Sequence, residues 1–381
     1  MSFTSFKLAP TLLKELAAQN YLQPTPIQQA AIPAILNGKD ILGIAQTGSG
    51  KTASFVLPIL MNLQSGTRLK NRHVSVLVLV PTRELAVQVK DVFLLFASAL
   101  PIHIKTIAVF GGVSINPQMM AMQGTNVLVA TPGRLLELID SNSVHLSEVE
   151  TLVLDEADKM LNLGFKDEIN RILLLLPKKR QNLLFSATLS DDLQNINQIL
   201  LHDPLIIKIE AVETNIDLIT QSAYLVAEEK KGPLLRYLIL KNNYRQVLVF
   251  TSSVYKADNV ADKLRKNGID AEAINSKKSQ GARTDALKKF KANNLRVLVA
   301  TDLMSRGIDI QFLPHVVNYE LPRSPKDYIH RIGRTGRAEN PGEAITFITP
   351  EDEHHFGVIQ KKMGKKVTIF NAEKIDLKIA K

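Results

Sequence analysis

Short apolar runs rich in β-branched residues alternate with amphipathic stretches along the chain. In the first half the apolar runs lie at 41–45, 75–80, 104–109, 126–130, 151–154, 181–185 and 205–209. In the second half they lie at 220–226, 246–250, 271–274, 296–300, 315–319 and 343–348. Stretches with the helical period lie between them, including 50–64, 83–99, 190–200, 229–240, 254–267, 279–292 and 325–332. Strands that alternate with helices predict βαβ units on parallel sheets, and therefore an α/β fold.

The alternation is interrupted once, at residues 208–218, which are polar and follow neither period. A length of 381 residues also favours two or three domains over one. We predict an amino-terminal domain over 1–207, a linker over 208–218 and a carboxyl-terminal domain over 219–350. Residues 351–381 are basic and aperiodic, which predicts a weakly ordered tail.

The composition is that of an ordinary globular protein, with 45% hydrophobic and 22% charged residues. No apolar run approaches the length of about 18 residues that a membrane-spanning helix needs. The first residues lack the layout of a signal peptide. The chain has no cysteine, which excludes disulfides, thiolate zinc sites and thiol nucleophiles. We expect a cytoplasmic protein that does not enter a membrane.

The net charge of +10 is unevenly distributed. Residues 1–207 contain 17 Lys and Arg against 16 Asp and Glu, whereas residues 208–381 contain 30 against 21. A basic second half is compatible with binding to the phosphates of a nucleic acid. It is equally compatible with a basic surface of no specific function, so charge alone does not decide between the two.

A glycine-rich turn at 45–52 follows the apolar run 41–44 and opens a helical stretch. Such turns bind phosphate through backbone N–H groups and the positive end of the helix dipole. Ala45 replaces the first glycine of the generic phosphate-loop pattern, but Gly50, Lys51 and Thr52 match it. We expect Lys51 to bind the β- and γ-phosphates and the Thr52 hydroxyl to ligate Mg²⁺. The predicted nucleotide-binding residues here are Thr47, Gly48, Ser49, Gly50, Lys51 and Thr52.

The sequence Asp-Glu-Ala-Asp at 155–158, called the acidic tetrad below, follows the apolar run 152–154. Parallel sheets bind ligands at the carboxyl ends of their strands. We therefore expect Asp155 to bind Mg²⁺ and Glu156 to orient and deprotonate the attacking water. Alone, such a sequence is often a solvated acidic turn or a helix N-cap. Together with the phosphate loop, it predicts a site for a nucleotide with Mg²⁺.

The stretch 21–28 near the amino terminus ends in Gln28 and contains Pro24 and Pro26. A glutamine amide offers donors and an acceptor that match the N6 and N7 edge of adenine. The two prolines would stiffen the loop that presents it. This stretch therefore indicates ATP as the nucleotide.

With these elements the chain resembles the DEAD-box ATP-dependent RNA helicases of superfamily 2, from about residue 3 to about residue 348. The resemblance implies two RecA-like domains, each a mostly parallel sheet flanked by helices, joined by a short linker. It also implies ATP and Mg²⁺ as cofactors, and an ATP hydrolase stimulated by RNA. That activity would drive domain closure and unwind short RNA duplexes locally or remodel RNA–protein complexes. Residues 278–284 resemble the bacterial RhlE-like subgroup.

The resemblance assigns further residues by function. Phe3, Tyr21 and Asp309 are expected at the nucleotide. RNA contacts are expected from Thr82, Arg83, Gly111, Gly112, Thr131, Arg134, Arg283 and Thr301. Asp158, Ser186 and Thr188 are expected to couple hydrolysis to RNA. His330, Arg334 and Arg337 belong to the closing motif at 330–337, with the two arginines as arginine fingers.

An arginine that stabilises charge on the transferred phosphoryl group would come from the other domain than Lys51 and Glu156. We therefore expect hydrolysis to require domain closure on RNA. The expected partner is single-stranded or short duplex RNA, bound by its backbone with the 2′-OH as discriminator against DNA. The absence of Trp and an aromatic content of 6% argue against sequence readout by base stacking.

Two alternatives to RNA unwinding are a DNA-translocating superfamily-2 motor and an ATP-gated RNA clamp or annealing scaffold. The acidic tetrad with Gln28 argues against the DNA motor, whereas intact Lys51, Glu156 and Arg337 do not separate unwinding from clamping. We expect a monomer without membrane contact, and a function compatible with protein partners in ribosome assembly or RNA decay.

The sequence departs from the family pattern at three places. Asn20 stands where glycine is usual, Asn275-Ser276 stand where His-Gly is common, and Ile308 replaces a leucine. The change at 275–276 raises a question about RNA contacts before Gln280, whereas the isoleucine conserves volume. The histidine pair 354–355 has no third ligand at a suitable spacing and predicts a surface pair.

Overall fold

The computed structural model describes residues 2–46, 48–63, 71–189, 200–209, 219–301, 313–336 and 342–377. The chain divides into two units, Met1–Ala211 and Val212–Lys381. The predicted linker lies at this junction, but residues 210–218 are outside the described residues. The domain limits therefore stay predictions, and each unit is described by itself.

The first unit contains a parallel sheet of seven strands in the order β3-β4-β2-β5-β6-β1-β7. The strands are β1 Ile41–Ile44, β2 Val76–Leu79, β3 Thr106–Val109, β4 Val127–Ala130, β5 Thr151–Leu154, β6 Gln181–Ser186 and β7 Leu205–Lys208. All pairings between them are parallel. All seven coincide with the predicted apolar runs to within two residues.

Eight α-helices are described in the first unit. They are α1 Pro10–Ala18, α2 Pro26–Leu36, α3 Lys51–Leu63, α4 Arg83–Ala97, α5 Asn116–Ala121, α6 Pro132–Asp140, α7 Ala157–Asn162 and α8 Lys166–Leu174. A 3₁₀ helix, Phe3–Phe6, precedes them. The sheet has an apolar cluster on each face, with Val76 and Val78 in one cluster and Leu77 and Leu79 in the other. Because both faces are covered, the strands are continuous apolar runs, and for this reason they were recognisable in the sequence.

The second unit repeats this architecture, with seven parallel strands in the order β10-β11-β9-β12-β13-β8-β14. The strands are β8 Ile219–Leu225, β9 Val247–Thr251, β10 Ala271–Ile274, β11 Val297–Thr301, β12 His315–Asn318, β13 Gly342–Ile348 and β14 Thr368–Asn371. The described helices are α9 Lys231–Lys241, α10 Val254–Lys266, α11 Gln280–Lys291, α12 Pro325–Ile332 and α13 Glu353–Met363. Short 3₁₀ helices lie at Glu228–Lys230, Pro350–Asp352 and Ala372–Lys374. Two parallel sheets with helices on both faces confirm the predicted fold class.

The prediction of a weakly ordered tail is wrong for residues 353–371. Helix α13 buries Phe356 and Ile359 in one cluster with Tyr328 of α12. Strand β14 pairs in parallel with β8. The sequence did not predict this order, because it shows no clear apolar period here. The helix contains exposed lysines, and all four residues of the edge strand β14 are exposed.

Two other predictions concern helices. The helix predicted over 190–200 lies outside them except for residue 200. Among the helices that are described, none is long and apolar enough to cross a bilayer.

Candidate functional site

The phosphate loop connects β1 to α3 at the carboxyl edge of the first sheet. Gly48 and Gly50 have φ values of 85° and 93°, in the left-handed region that side chains disfavour. A Cβ atom on Gly50 would lie 2.6 Å from the amide nitrogen of Gln28. Glycine at 50 is therefore favoured twice, by its backbone conformation and by the close approach of the stretch 21–28. Thr47 lies outside the described residues.

Lys51 is buried at the start of α3, and its Nζ donates to the carbonyl of Ala45 at 2.7 Å. The Lys51 ammonium thus lies against the phosphate loop, where it is predicted to bind the phosphates. The hydroxyl of Ser49 is buried and has no hydrogen-bond partner among the described residues. Thr52, on the same first turn, is half-buried. The loop therefore presents an ammonium and hydroxyls at a helix N-terminus, which suits a phosphate ligand.

Asp155 follows β5 directly, and its backbone N–H donates to the carbonyl of Leu79 at 3.0 Å. Burial raises the pKa of this carboxyl from 3.8 to about 6. The ammonium of Lys51 lowers the pKa, but burial, with a smaller contribution from the carboxylate of Glu156, outweighs it. The oxygen Oδ1 of Asp155 is buried without a hydrogen-bond partner among the described residues. This carboxylate is costly to ionise unless a cation binds beside it.

This environment fits Mg²⁺, which prefers one or two protein oxygen ligands together with substrate phosphates. The Asp155 carboxylate and the Thr52 hydroxyl would hold the ion, which would neutralise charge on the phosphates when bound. Within the described ranges, no group of three or more His, Cys, Asp or Glu residues could hold a metal by itself. The nucleotide would therefore have to complete the coordination.

Glu156 caps α7 with a left-handed backbone, φ 55° and ψ 46°. Non-glycine residues in this region are strained and often lie at functional sites. One carboxylate oxygen, Oε1, lies 2.8 Å from Nζ of Lys159 on the first turn of α7. The proposed base is thus ion-paired with a neighbouring lysine in this structure.

Asp158 is linked to the end of β6. Its Oδ2 accepts a hydrogen bond of 3.0 Å from the Thr188 hydroxyl. The Ser186 hydroxyl donates to the carbonyl of Thr188 at 2.7 Å, and the Ser186 carbonyl accepts from the N–H of Ala45 at 2.9 Å. A continuous hydrogen-bonded path thus joins the acidic tetrad, the segment 186–188 and the phosphate loop. The structure brings the three predicted coupling residues together.

Gln28 is buried at the first turn of α2, where both ends of its amide are oriented. Its Oε1 accepts from the Thr25 N–H at 2.9 Å, and its Nε2 donates to the Gly50 carbonyl at 3.1 Å. A glutamine amide has two N–H donors and two lone pairs on oxygen, so one of each remains. That remaining pair is what an adenine edge requires.

Tyr21 and Phe3, the other amino-terminal residues predicted at the nucleotide, are packed in the protein. Tyr21 makes an edge-to-face contact with Phe96, with ring centroids 5.6 Å apart. Phe3 is only 4% exposed and packs edge-to-face on Phe6. Asn20 has φ 60°, which explains why glycine is common there and why asparagine is tolerated. Base stacking by Phe3 and a nucleotide contact by Tyr21 stay predictions.

The predicted RNA residues of the first unit follow β2, β3 and β4 at the same edge of the sheet. Thr82 caps α4, its hydroxyl accepting from the Leu85 N–H at 3.3 Å. The guanidinium of Arg83 packs against Gly112, which has φ 73° and no space for a Cβ atom on that side. Gly111 faces open space. Arg83 and Gly112 therefore lie together, as an RNA-binding surface would require.

Arg134 is buried, which a direct RNA contact would not predict. Its Nη2 donates to the carbonyl of Val113 at 2.9 Å, and its Nε lies 2.9 Å from Glu137. Thr131, directly before α6, is also buried, and its N–H donates to Val109. The structure shows Arg134 holding the segment after Gly112, while contact with RNA stays a prediction.

The second unit places its predicted residues on separate elements. Arg283 is 4% exposed on α11, and Thr301 ends β11 at the carboxyl edge of the sheet. His330 is exposed on α12, and Arg334 follows that helix, its carbonyl accepting from Leu313 at 3.0 Å. Asp309 and Arg337 lie outside the described residues, as does Ile308. Asn275 is fully buried and its amide donates to Asp258 at 3.1 Å, a packing function for this departure from the family pattern.

Two family models match the chain, the DEAD/DEAH box helicase model over residues 25–196 and the helicase conserved C-terminal domain model over 230–339. An ATP-dependent RNA helicase CshA of Listeria monocytogenes is 39% identical over 96% of this chain and 69% of that protein. The ATP-dependent RNA helicase DeaD of Buchnera aphidicola is 37% identical over 99% of this chain and 62% of that protein. The chain belongs to the DEAD-box ATP-dependent RNA helicases.

Solved DEAD-box structures share the fold of this helicase. Dbp5 of S. cerevisiae, bound to RNA and ADP BeF3, has a TM-score of 0.81 at 29% identity, covering 98% of this chain and 96% of that one. A DEAD box protein of Methanococcus jannaschii has a TM-score of 0.54 at 36% identity, covering 97% and 99%. The two-domain RecA-like architecture predicted from the motifs is confirmed.

Sequence reasoning missed two charged side chains of this helicase. Lys159 pairs with Glu156, and the signal was the i, i+3 spacing on a helix that begins at the tetrad. Arg331, to which the sequence analysis assigned no function, is 2% exposed. The signal was again helical spacing, because residue 331 lies on the same face as buried Tyr328.

Proposed function

We propose that this DEAD-box helicase hydrolyses ATP with Mg²⁺ at the carboxyl edge of its first sheet, in response to single-stranded or short duplex RNA. The observation that carries the proposal is the buried, hard-to-ionise Asp155 beside Lys51 and the glycine loop. A carboxylate in that environment suits a cation held between protein and phosphates.

Each predicted site residue then has one part in the proposed reaction. Gln28 would read adenine with its remaining donor and lone pair. Lys51 would leave the Ala45 carbonyl for the phosphates, and Glu156 would orient the water and accept its proton. Arg334 and Arg337 would stabilise negative charge on the transferred phosphoryl group, as arginine fingers do in related NTPases. Asp309 would contact the ribose.

Coupling to RNA follows the path from Asp158 through Thr188 and Ser186 to the phosphate loop. We propose that RNA bound at Arg83 and Gly112, together with Thr301 and Arg283 of the second unit, promotes closure and so turnover. Because the contacts are made to phosphates and 2′-OH groups, unwinding would be local and independent of sequence.

The test of the ATPase site is Glu156→Gln. This variant should lose RNA-stimulated ATP turnover by about 10² or more while it keeps ATP-dependent RNA binding. RNA binding is measured by fluorescence anisotropy with a non-hydrolysable ATP analogue, and turnover by phosphate release. Full turnover in Glu156→Gln would refute the function given to Glu156.

Strand displacement on matched RNA and DNA duplexes separates the remaining alternatives. ATP-dependent displacement of RNA but not DNA supports an RNA helicase, whereas equal displacement of DNA would contradict the RNA assignment. ATP-dependent RNA binding without displacement would indicate a clamp or annealing scaffold.

The RhlE-like subgroup, suggested by residues 278–284, stays a proposal beside relatives named CshA and DeaD. A monomer acting in the cytoplasm, with partners in ribosome assembly or RNA decay, is likewise proposed.

A further inference from the structure

Glu320, which follows β12, receives several hydrogen bonds at the carboxyl edge of the second sheet. Its Oε2 accepts from the N–H and the hydroxyl of Ser252, each at 2.7 Å, and its Oε1 lies 2.5 Å from Nζ of Lys256. Burial acts to raise the pKa of Glu320, but the hydrogen bonds from Lys256 and Ser252 outweigh it and hold the pKa below its usual range. The carboxylate thus stays charged and fixes the turn between β9 and α10.

Lys256 belongs to a row of charged side chains with alternating sign, which runs from Glu320 through Lys256 and Glu228 to Lys231. Its Nζ also lies 2.6 Å from Glu228, whose other carboxylate oxygen lies 2.8 Å from Nζ of Lys231. Only 3% of the Lys231 side chain is exposed. A partly buried network of this kind restrains geometry more than an isolated surface pair does. Glu320 therefore ties the start of α9 and the first turn of α10 to the end of β12.

The main chain of Glu320 makes a second connection, to α12. Its carbonyl accepts from Nη1 of Arg331 at 2.6 Å, and the same nitrogen donates to the amide oxygen of Asn318 at 3.1 Å. The Arg331 guanidinium also lies over the ring of Phe250, 5.0 Å from its centroid. Helix α12 is thus anchored on the ends of β9 and β12 by a buried cation.

We propose that Glu320 is a positioning residue for ATP hydrolysis, acting through Arg331 to fix where α12 presents Arg334. The inference rests on the proposed function of Arg334 as an arginine finger. Charge stabilisation in a transition state depends on groups held in place beforehand, and a small displacement of such a group reduces the rate strongly. The hydrogen bonds of the Glu320 side chain hold the backbone of Glu320 in place. The carbonyl of that backbone accepts the hydrogen bond from Arg331.

The first test is Glu320→Gln, which keeps an acceptor for Ser252 and removes the charge opposite Lys256. RNA-stimulated kcat should fall by about tenfold, because Arg334 would lose its fixed position. KM for ATP should stay within about twofold, because the residues that bind the base and phosphates lie in the other unit. A fall in melting temperature with unchanged kcat per folded molecule would overturn the inference.

Glu272→Gln is the matched control. Glu272 on β10 pairs with Lys289 on α11 at 2.8 Å, and among the described residues no ion pair or hydrogen bond joins this pair to Glu320 or Lys256. This variant removes one carboxylate charge from the same unit and should leave kcat within about twofold of the unaltered protein. Equal losses of kcat in Glu272→Gln and Glu320→Gln would show a general charge effect and overturn the inference.

Arg334→Ala distinguishes positioning from other causes in single-turnover ATP hydrolysis with RNA. If Glu320 acts through Arg334, Glu320→Gln should cost about tenfold alone but add little in the Arg334→Ala background. Equal losses in both backgrounds would overturn the inference. No loss in Arg334→Ala alone would refute the proposed function of Arg334 instead.

Lys256→Met serves if Glu320→Gln does not fold. It retains the bonds of Ser252 to Glu320 and removes only the bridging ammonium. We expect a smaller loss of RNA-stimulated kcat, about threefold, that is again absent in the Arg334→Ala background. An unchanged kcat in folded Lys256→Met would overturn the charge-network part of the inference.

Discussion

Glu156 and Lys159 form an ion pair of 2.8 Å across the first turn of α7. Glu156 has a left-handed backbone and is the N-cap residue of α7. An ion pair holds its two side chains in one geometry, so Lys159 orients the Glu156 carboxylate. We therefore expect the pair to restrain the proposed base until RNA is bound.

Lys159→Met should raise RNA-independent ATP hydrolysis by about threefold to tenfold, because Glu156 is released from its partner. Turnover with saturating RNA should change less. Lys159→Arg, which keeps the charge, is the control and should resemble the unaltered protein. Steady-state phosphate release with and without RNA measures both. A lower basal rate in Lys159→Met would show that the lysine assists Glu156 rather than restraining it.

Asp155→Asn should stabilise the first unit at alkaline pH while abolishing turnover. Because the folded pKa of about 6 exceeds the ordinary 3.8, the folded state binds this proton more tightly than the unfolded state. The free energy of unfolding therefore falls as pH rises from about 4 through 6, by at most about 3 kcal/mol for this carboxyl. Asn removes that loss.

Thermal unfolding at pH 5 and pH 8 without nucleotide measures this effect. The melting temperature of Asp155→Asn should exceed that of the unaltered protein at pH 8, by less at pH 5. A lower melting temperature for Asp155→Asn at both pH values would contradict the assignment of a costly buried carboxylate.

Gly50→Ala should raise KM for ATP by about tenfold or more. The added methyl would collide with the Gln28 amide, and φ 93° is strained for alanine. Gly357→Ala is the matched control, because a Cβ atom there meets nothing within 4 Å on helix α13. ATP titrations of RNA-stimulated turnover measure the difference. A KM unchanged by Gly50→Ala would remove the close approach of Gln28 as a requirement.

Gln28→Ala should reduce the preference for ATP over GTP, since it removes the donor and acceptor that we propose for adenine. A loss of about 1 to 2 kcal/mol in selectivity is expected for two neutral hydrogen bonds. The ratio of kcat/KM for the two nucleotides measures it. Retained preference would remove Gln28 as the adenine reader.

Arg134→Ala should destabilise the first unit by about 1 to 3 kcal/mol, because it leaves the Val113 carbonyl without its buried donor. If Arg134 only holds this segment, Arg134→Lys should recover RNA affinity together with stability. If it contacts RNA, affinity should stay low in Arg134→Lys after stability recovers. Denaturant unfolding and RNA anisotropy on the same samples decide between the two.

The fold was predictable because helices cover both faces of both sheets. A strand that is buried on both faces is a continuous apolar run in the sequence. Val76–Leu79 and Val247–Thr251 are examples. Strand β14 was not predictable, since all four of its residues are exposed and its order comes from pairing with β8. Local sequence contains no record of such a pairing.

The placement of the phosphate loop and Gln28 was predictable for a different reason, while their binding of a nucleotide stays a prediction. The motif chemistry expected for phosphate and adenine calls for glycines and a glutamine, and the structure places Gly50 and Gln28 side by side. The ion pair of Glu156 and the buried orientation of Arg331 depend on helix phase and backbone conformation. A motif gives the identity of such residues but not the direction in which they point.

Helix α13 and strand β14 lie beyond residue 339, where the match to the helicase C-terminal model ends. Phe356 packs edge-to-face on Tyr328 of α12, with ring centroids 6.1 Å apart. Shortening the protein to about residue 350 would uncover the back of the helix that precedes Arg334 and leave β8 as a bare sheet edge prone to aggregation. A version of this helicase that keeps α13 packed on α12 and β14 paired with β8 therefore extends through residue 371.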